Sequence, residues 1–341
     1  MNRGSALPES VRRLAAACGL DPAGDAVLSR GGVPLLFVPV GPDRELTFAA
    51  AGLYRPQSAK ARFATAAFAA VLKTRAGRFL PRMPGRGGNC GLLVCNPCHG
   101  TRIVAVRRTD RGHFEIVKAA IPRDAGPIRR EHAALSRLKQ YPGVPAVGQL
   151  RENGNAVRFS MPHLRHAPPG ANPVPLLRAW ETDELESAAK NGLIRDLMPF
   201  LDGKALADLG TIAVRRALVH GDFAPWNWRT DDSGNLACID WEWAREDGFS
   251  GFDLVYCLVQ QALLVKKVAP DRLLPVVQRA ISKLGVERES STDGTHLPLE
   301  TLVSLVMAYR KTKNMDGQND HVTGPESSRA GTGIALPNTM C

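Results

Sequence analysis

The 341-residue chain has no apolar stretch long enough to span a bilayer. It has no signal-peptide core either, because Glu9, Arg12 and Arg13 interrupt the N-terminal stretch where one would lie. A cytoplasmic protein with no membrane partner is expected. The seven cysteines are an odd number, which argues against a disulfide framework. Cys90, Cys95, Cys98 and His99 are close in sequence but lack a second ligand pair at a familiar zinc spacing. They also overlap a strand pattern whose alternating residues point apart. The formal charge is +11, yet no dense Lys/Arg block with interleaved aromatics appears, so nucleic acid is not the expected ligand. The scattered basic residues read as solvated surface with some attraction for anionic ligands. No internal repeat is present.

The informative residues lie in one stretch. Val219-His220-Gly221-Asp222-Phe223-Ala224-Pro225-Trp226-Asn227 is followed by Ile239-Asp240-Trp241-Glu242. An Asp and an Asn share a tight loop, and a second Asp ends a short apolar run. Phosphoryl transfer from a nucleotide needs that set: one carboxylate receives the proton of the attacking hydroxyl, and an amide and a second carboxylate hold magnesium. Residues 236–239 suit a strand, and Asp231-Asp232-Ser233-Gly234 is a turn signal. Folding there pairs the stretch around Trp228 with the stretch around Ala237. Asn227 and Asp240 then lie at the same open end of a hairpin. Gly221 gives the backbone room to bend before Asp222. Magnesium takes oxygen ligands and keeps some waters, so one carboxylate, one amide and nucleotide phosphates suffice.

His220-Gly221-Asp222-x-x-x-x-Asn227, Ile239-Asp240-Trp241-Glu242 and Gly251-Phe252-Asp253-Leu254 together resemble the aminoglycoside phosphotransferase and choline kinase group of the protein-kinase-like fold. The resemblance spans residues 90–310. It implies a bilobal α+β fold, with a small antiparallel-sheet lobe carrying one key helix and a larger, mainly helical lobe. It implies Asp222 as the catalytic base with His220 supporting its loop, Asn227 and Asp240 as magnesium ligands, and Asp253 as a brace.

Upstream residues bear on the same chemistry. Phe114-Glu115-Ile116-Val117-Lys118-Ala119-Ala120 follows the turn Asp110-Arg111-Gly112 and reads as the second strand of a hairpin begun by 101–107. Residues 128–139 read as a helix with the apolar stripe Ile128, Leu135 and Leu138, and the position that completes the stripe is Glu131. A carboxylate on a buried face is costly unless paired, and Lys118 is the natural partner. In kinases such a pair holds the α and β phosphates of ATP. The nucleotide-covering loop is the weak part. Asn96-Pro97-Cys98-His99-Gly100-Thr101 has one glycine and fails the G-x-G-x-x-G pattern, leaving Thr101 and the amides near Gly100 as phosphate contacts. Asn153-Gly154 makes a hairpin turn, 156–161 a strand, and Pro162 ends it at the expected hinge between lobes. Met161 there either lies beside the adenine or simply packs in the core.

The expected organisation has an α+β extension over 1–80, a small lobe over 90–161, a large lobe over 162–311 and a disordered tail over 312–341. Residues 81–89 are rich in Gly and Pro and look like a linker. Within the extension, Val11, Leu14, Ala15 and Cys18 mark an amphipathic helix, and 34–40 and 45–51 read as strands. Residues 57–75 read as a helix with Phe63, Ala66, Ala67, Ala70 and Val71 on its apolar face. Large-lobe helices are expected over 183–200, 204–217, 252–267, 271–284 and 298–311. Cys238 and Cys257 read as core.

The expected function is ATP- and magnesium-dependent phosphoryl transfer to a hydroxyl of a small molecule: a sugar, an amino-alcohol or an aminoglycoside-like compound. The rival from another class is a non-catalytic kinase-like nucleotide-binding or interaction module. A protein kinase is disfavoured, since His-Arg-Asp, Asp-Phe-Gly and a downstream Ala-Pro-Glu are all absent. Trp226, Trp228, Trp241 and Trp243 either pack the hairpin or form an acceptor platform. Glu181, Asp183, Glu184 and Glu186 either line an acceptor site or sit on a surface helix face.

Overall fold

The computed structural model of the chain describes residues 7–30, 33–40, 43–54, 59–72, 74, 79–83, 88–95, 100–285 and 297–319. The first half contains α1 (Glu9–Ala17), β1 (Ala26–Arg30), β2 (Val33–Val38), α2 (Arg44–Ala51), α3 (Ala59–Leu72), β3 (Cys90–Val94), β4 (Arg102–Arg108), β5 (Phe114–Ala120), α4 (Gly126–Arg137), β6 (Arg151–Glu152) and β7 (Val157–Pro162). The second half contains β8 (Arg165–His166), α5 (Val174–Arg178), β9 (Glu181–Ser187), α6 (Gly192–Leu197), α7 (Gly203–Leu209), β10 (Ala213–Val219), β11 (Trp228–Thr230), β12 (Leu236–Cys238), β13 (Arg245–Phe249), α8 (Phe252–Gln260), α9 (Leu273–Lys283) and α10 (Leu299–Asn319). The fold is α+β and bilobal, as expected. No helix among the described residues is long and apolar enough to cross a membrane.

The small lobe is one seven-stranded antiparallel sheet in the order β1-β2-β3-β4-β5-β7-β6. Alternation gives it two apolar faces. Leu92, Ile103, Ala105, Val117 and Ala119 face α1, which buries Val11, Leu14, Ala15 and Cys18 against them, the four residues its periodicity marks. Leu36, Val38 and Val106, on the other face, meet Leu46, Ala49 and Ala50 of α2 and Phe68 of α3. The N-terminal α+β extension elaborates the small lobe: β1 and β2 extend its sheet, and β2 pairs directly with β3.

Several expectations are corrected here. Residues 45–51 form α2, not a strand. The Asp43 side chain caps the Leu46 amide, and burial at Leu46, Thr47, Ala49 and Ala50 follows a helical period. The helix over 59–72 is present, but Phe63 on its expected face is 78% exposed and Phe68 makes the contact instead. Residues 183–187 belong to strand β9, and 204–217 divide at Gly210 into α7 and β10. Those two strands pair antiparallel, and Arg216 and Arg215 of β10 neutralise Glu184 and Asp183 of β9 across the ladder. Asp183, Glu184 and Glu186 are thus strand residues ion-paired to Arg215 and Arg216, and Glu181 accepts from the Ser250 hydroxyl. Residues 312–319, placed in a disordered tail, continue α10. Cys98, His99 and most of the covering loop lie outside the described residues. Among the described cysteines, Cys238 and Cys257 are buried in the core, as expected.

The large lobe centres on α8, α9 and α10 around Phe252, Val255, Tyr256, Val277, Leu305 and Val306. Two three-stranded sheets, β13-β10-β9 and β12-β11-β8, flank it and carry the loops of the site.

Candidate active site

The site lies where β5 and α4 of the small lobe meet the loop after β10 and the end of the β11–β12 hairpin. Trp228 pairs with Cys238 in that hairpin, in the expected register. The Ile239 amide then donates to the Asn227 carbonyl at 3.0 Å, which ties the backbone before Asp240 to the loop that carries Asn227.

Lys118 is the first junction. It is paired with Val104 and Phe159 on neighbouring strands, so its side chain leaves the sheet on the face that α4 covers. Its ammonium donates to both oxygens of Glu131, at 2.7 and 2.8 Å, and to Asp240 Oδ1. The Lys118 and Glu131 side chains are 7% and 6% exposed, whereas Asp240 is 43% exposed. The buried Glu131 on the apolar stripe has the partner that the sequence required. Burial alone would drive the Lys118 proton off, but the carboxylates of Asp240 and Glu131 outweigh it and hold the ammonium above its ordinary pKa. Burial raises Glu131. Burial also opposes ionisation of Asp240, yet Lys118 keeps that carboxylate below its usual range. Asp240 sits at φ 67°, a left-handed position uncommon outside glycine. Its amide donates to Glu131 Oε1 at 3.1 Å, so Glu131 holds both Lys118 and the strained Asp240.

The second junction is the loop of residues 220–227. Asp253, at the first turn of α8, accepts the His220 and Gly221 amides at 2.6 and 3.2 Å. Burial outweighs those bonds and pushes Asp253 up to about 7. His220 accepts the Asp222 amide at Nδ1 (3.1 Å), and its Nε2 donates to the Ile239 carbonyl at 2.9 Å. Complete burial lowers its pKa to about 4, so the ring is a neutral strut between the loop and the strand leading to Asp240. Gly221 has φ +75°, and a Cβ there would lie 2.5 Å from the Trp243 carbonyl and 2.6 Å from Tyr309 Oη. Only glycine fits this bend. The Asn227 side-chain amide donates to the Asp222 carbonyl at 2.9 Å and to Asp222 Oδ2 at 3.2 Å.

Gly100 and Thr101 lie against Asp124. The Thr101 amide donates to Asp124 Oδ2 at 2.6 Å, and a Cβ on Gly100 would strike the same carboxylate. Met161 is 3% exposed and packs with Phe159 and Ala120, so core packing describes its surroundings. Trp228 and Trp241 are buried, and Trp241 lies 4.6 Å from the His220 ring. They pack the hairpin and the loop. Trp243 is different: it faces Asp222's surroundings and has Lys313 over its ring at 4.7 Å.

Three site residues were missed from sequence. Tyr256 donates to Asp222 Oδ1 at 2.8 Å, Gln260 donates to the Tyr256 hydroxyl at 2.6 Å, and Lys313 lies 3.3 Å from Asp222 Oδ1. Tyr256 and Gln260 share the helix face of Asp253, a spacing that was available. Lys313 shares a face with Tyr309, but only once α10 is carried past residue 311.

No protein-family model matches the chain, and no curated protein matches it in sequence. Among solved structures it is similar to aminoglycoside phosphotransferase APH(4)-Ia, at 14% identity and a TM-score of 0.39, over 64% of this chain and 86% of that one. It is similar to an aminoglycoside-3'-phosphotransferase of type VIII, at 17% identity and a TM-score of 0.38, over 65% of this chain and 94% of that one. It is also similar to the macrolide 2'-phosphotransferase MphH from Brachybacterium faecium, at 16% identity and a TM-score of 0.35, over 66% of this chain and 90% of that one. Likeness of this strength carries no weight on the chemistry, which rests on the two junctions.

Proposed function

We propose that the chain is an ATP-dependent phosphotransferase that moves the γ-phosphoryl group of ATP to a hydroxyl of a small molecule. The observation that carries this reading is the meeting of the two junctions. Lys118, Glu131 and Asp240 gather at one side, and Asp222 and Asn227 stand on a loop linked to Asp240 through His220 and Ile239.

The donor set fits magnesium. Asp240 offers a partly exposed carboxylate, and Asn227 commits its amide nitrogen to Asp222, which leaves the amide oxygen for a hard cation. Asn227 and Asp240 would hold the ion, and bound magnesium would neutralise phosphate charge. Lys118 exchanges its contact with Asp240 for the α and β phosphates while Glu131 keeps it in place. With the Thr101 amide engaged by Asp124, the phosphate grip falls mainly to Lys118. Asp222 receives a hydrogen bond from the acceptor hydroxyl. As the acceptor oxygen bonds to phosphorus and the bond to the ADP oxygen breaks, the hydroxyl proton passes to Asp222. Positioning and charge neutralisation supply the rate.

The test is an ATP-consumption screen over hydroxylated metabolites. Asp222→Asn is expected to bind ATP within about twofold of the unaltered chain and to lose transfer by at least about 1000-fold. Loss of ATP binding with transfer intact would refute the assignment. The rival, a non-catalytic nucleotide-binding module, predicts ATP binding with no consumption by any variant.

A further inference from the structure

Lys313 reaches the site from α10 and, among the described residues, is the cation nearest the Trp243 ring, which Arg130 also overlies at 5.7 Å. Nζ lies 3.3 Å from Asp222 Oδ1, 3.3 Å from the Gly221 carbonyl and 3.5 Å from Tyr256 Oη. It also lies 4.7, 5.6 and 5.9 Å from the ring centroids of Trp243, Tyr256 and Tyr309. A carboxylate, a carbonyl, a hydroxyl and three aromatic faces are the surroundings a cation selects. They come from four places in the chain: the loop 220–227, the segment after Asp240, α8 and α10. The Lys313 side chain is only 15% exposed. A lysine with no task in the fold keeps its charged end in water instead.

The contacts divide the Asp222 carboxylate. Oδ1 faces Lys313 and accepts the Tyr256 hydroxyl, which Gln260 holds in turn. Among the described residues, Oδ2 accepts only the longer Asn227 bond at 3.2 Å. The carboxylate cannot rotate without breaking contacts from three elements, so Oδ2 keeps the capacity to take a further hydrogen bond.

We propose that Lys313 is a positioning residue for Asp222, and that Trp243, Tyr256 and Tyr309 form an ammonium site filled in cis. The ammonium fixes Oδ1, commits Oδ2 to the acceptor hydroxyl, and closes the cage to any cationic group of the acceptor. The acceptor therefore presents a neutral or anionic end beside Asp222. This rests on the reading of Asp222 as the base that receives the hydroxyl proton.

Chemical rescue tests it. Lys313→Ala is expected to lower kcat by about 10- to 100-fold while leaving the KM for ATP within about twofold. Methylammonium, which can donate to Asp222 and Gly221, should restore kcat saturably. Tetramethylammonium, which meets the rings but donates no hydrogen bond, should compete with methylammonium and restore nothing. A second readout needs no turnover: methylammonium should raise the melting temperature of Lys313→Ala by a few degrees more than that of the unaltered chain. Lys313→Met keeps the packing of the stem, and should show the kcat loss without rescue even if the alanine variant does not fold. Full activity in Lys313→Ala or Lys313→Met, or methylammonium that neither binds nor rescues Lys313→Ala, overturns the proposal. If the unaltered chain binds ATP but phosphorylates no acceptor, the catalytic reading fails, and the melting experiment still decides whether the cage is an ammonium site.

Discussion

At the scale of the residue, His220 shows how a titratable group serves as a neutral strut. Its pKa in the fold is about 4, against 6.5 for a free side chain, because burial penalises the imidazolium. The unfolded chain therefore takes up a proton below about pH 6.5 that the folded chain refuses until about pH 4, and stability drains away between those values as the pH falls. Asp253 acts in the opposite sense. Its folded pKa of about 7 lies above the carboxylate value, so the folded chain binds that proton first and gains stability over part of the same window. The overall pH profile conceals both. His220→Gln separates them, because the glutamine oxygen can accept the Asp222 amide and its nitrogen can donate to Ile239 with nothing to titrate. Compared by urea midpoints, the variant should gain about 2 kcal/mol on the unaltered chain between pH 8 and pH 5. An unchanged difference would mean the ring titrates normally in the fold. The loop of residues 220–227 and Glu131 stood out in the sequence because each breaks a local rule: a glycine before a carboxylate, and a charged residue on an apolar stripe. Lys313 breaks none. A lysine in a polar stretch is unremarkable until a helix carries it to a carboxylate distant in sequence.

At the scale of the element, α2 is the segment where sequence and structure diverge most usefully. Glu45-Leu46-Thr47-Phe48-Ala49-Ala50-Ala51 reads as alternating when only apolarity is counted, yet Asp43 supplies a cap and the alanines favour a helix. The strands β9 and β10 err in the other direction: their charged residues suggest a solvated helix until Arg215 and Arg216 meet Asp183 and Glu184 across the ladder. Such pairing joins segments thirty residues apart, and no local period records it. The helix α3 is so rich in alanine that its apolar face is ill-defined, and Phe68 rather than Phe63 settles it. By contrast, α1 and α4 each carry one sharp stripe, and both were placed correctly. The docking of α2 depends on Gly91 of β3. A Cβ there would collide with the Ala50 Cβ and lie 2.8 Å from its Cα. Gly91→Ala should cost about 1–3 kcal/mol by overpacking. Ala50→Gly in the same chain should recover part of that loss by removing the colliding methyl, despite its own helix-propensity cost. A double-mutant cycle on urea midpoints checks this. Additive losses would show that the helix does not sit on the sheet at this point.

At the scale of the whole molecule, the two lobes share a core. One apolar cluster joins Ala120, Ile128, Leu135, Phe159 and Met161 of the small lobe to Trp180, Phe223, Trp228, Trp241 and Cys257 of the large lobe. The buried pair Lys118–Glu131 and the partly exposed Asp240 add an ion cluster across the same boundary, and removing one member leaves the others uncompensated. Lobes tied in this way should unfold together. All five tryptophans, Trp180 among them, lie in the large lobe, so their fluorescence reports that lobe, while far-UV circular dichroism also samples the seven-stranded sheet. The two signals should give one coincident transition. Because the proposed nucleotide site draws on both lobes, ATP with magnesium at about 100 times its Kd should stabilise that transition by about 2.7 kcal/mol. EDTA or Asp240→Ala should remove most of the shift, since the carboxylate that would hold the ion is then idle or gone. Two separate transitions would mean that the shared cluster does not couple the lobes. A single transition indifferent to ATP and magnesium would mean that Lys118, Asn227 and Asp240 form a structural ion cluster and not a nucleotide site.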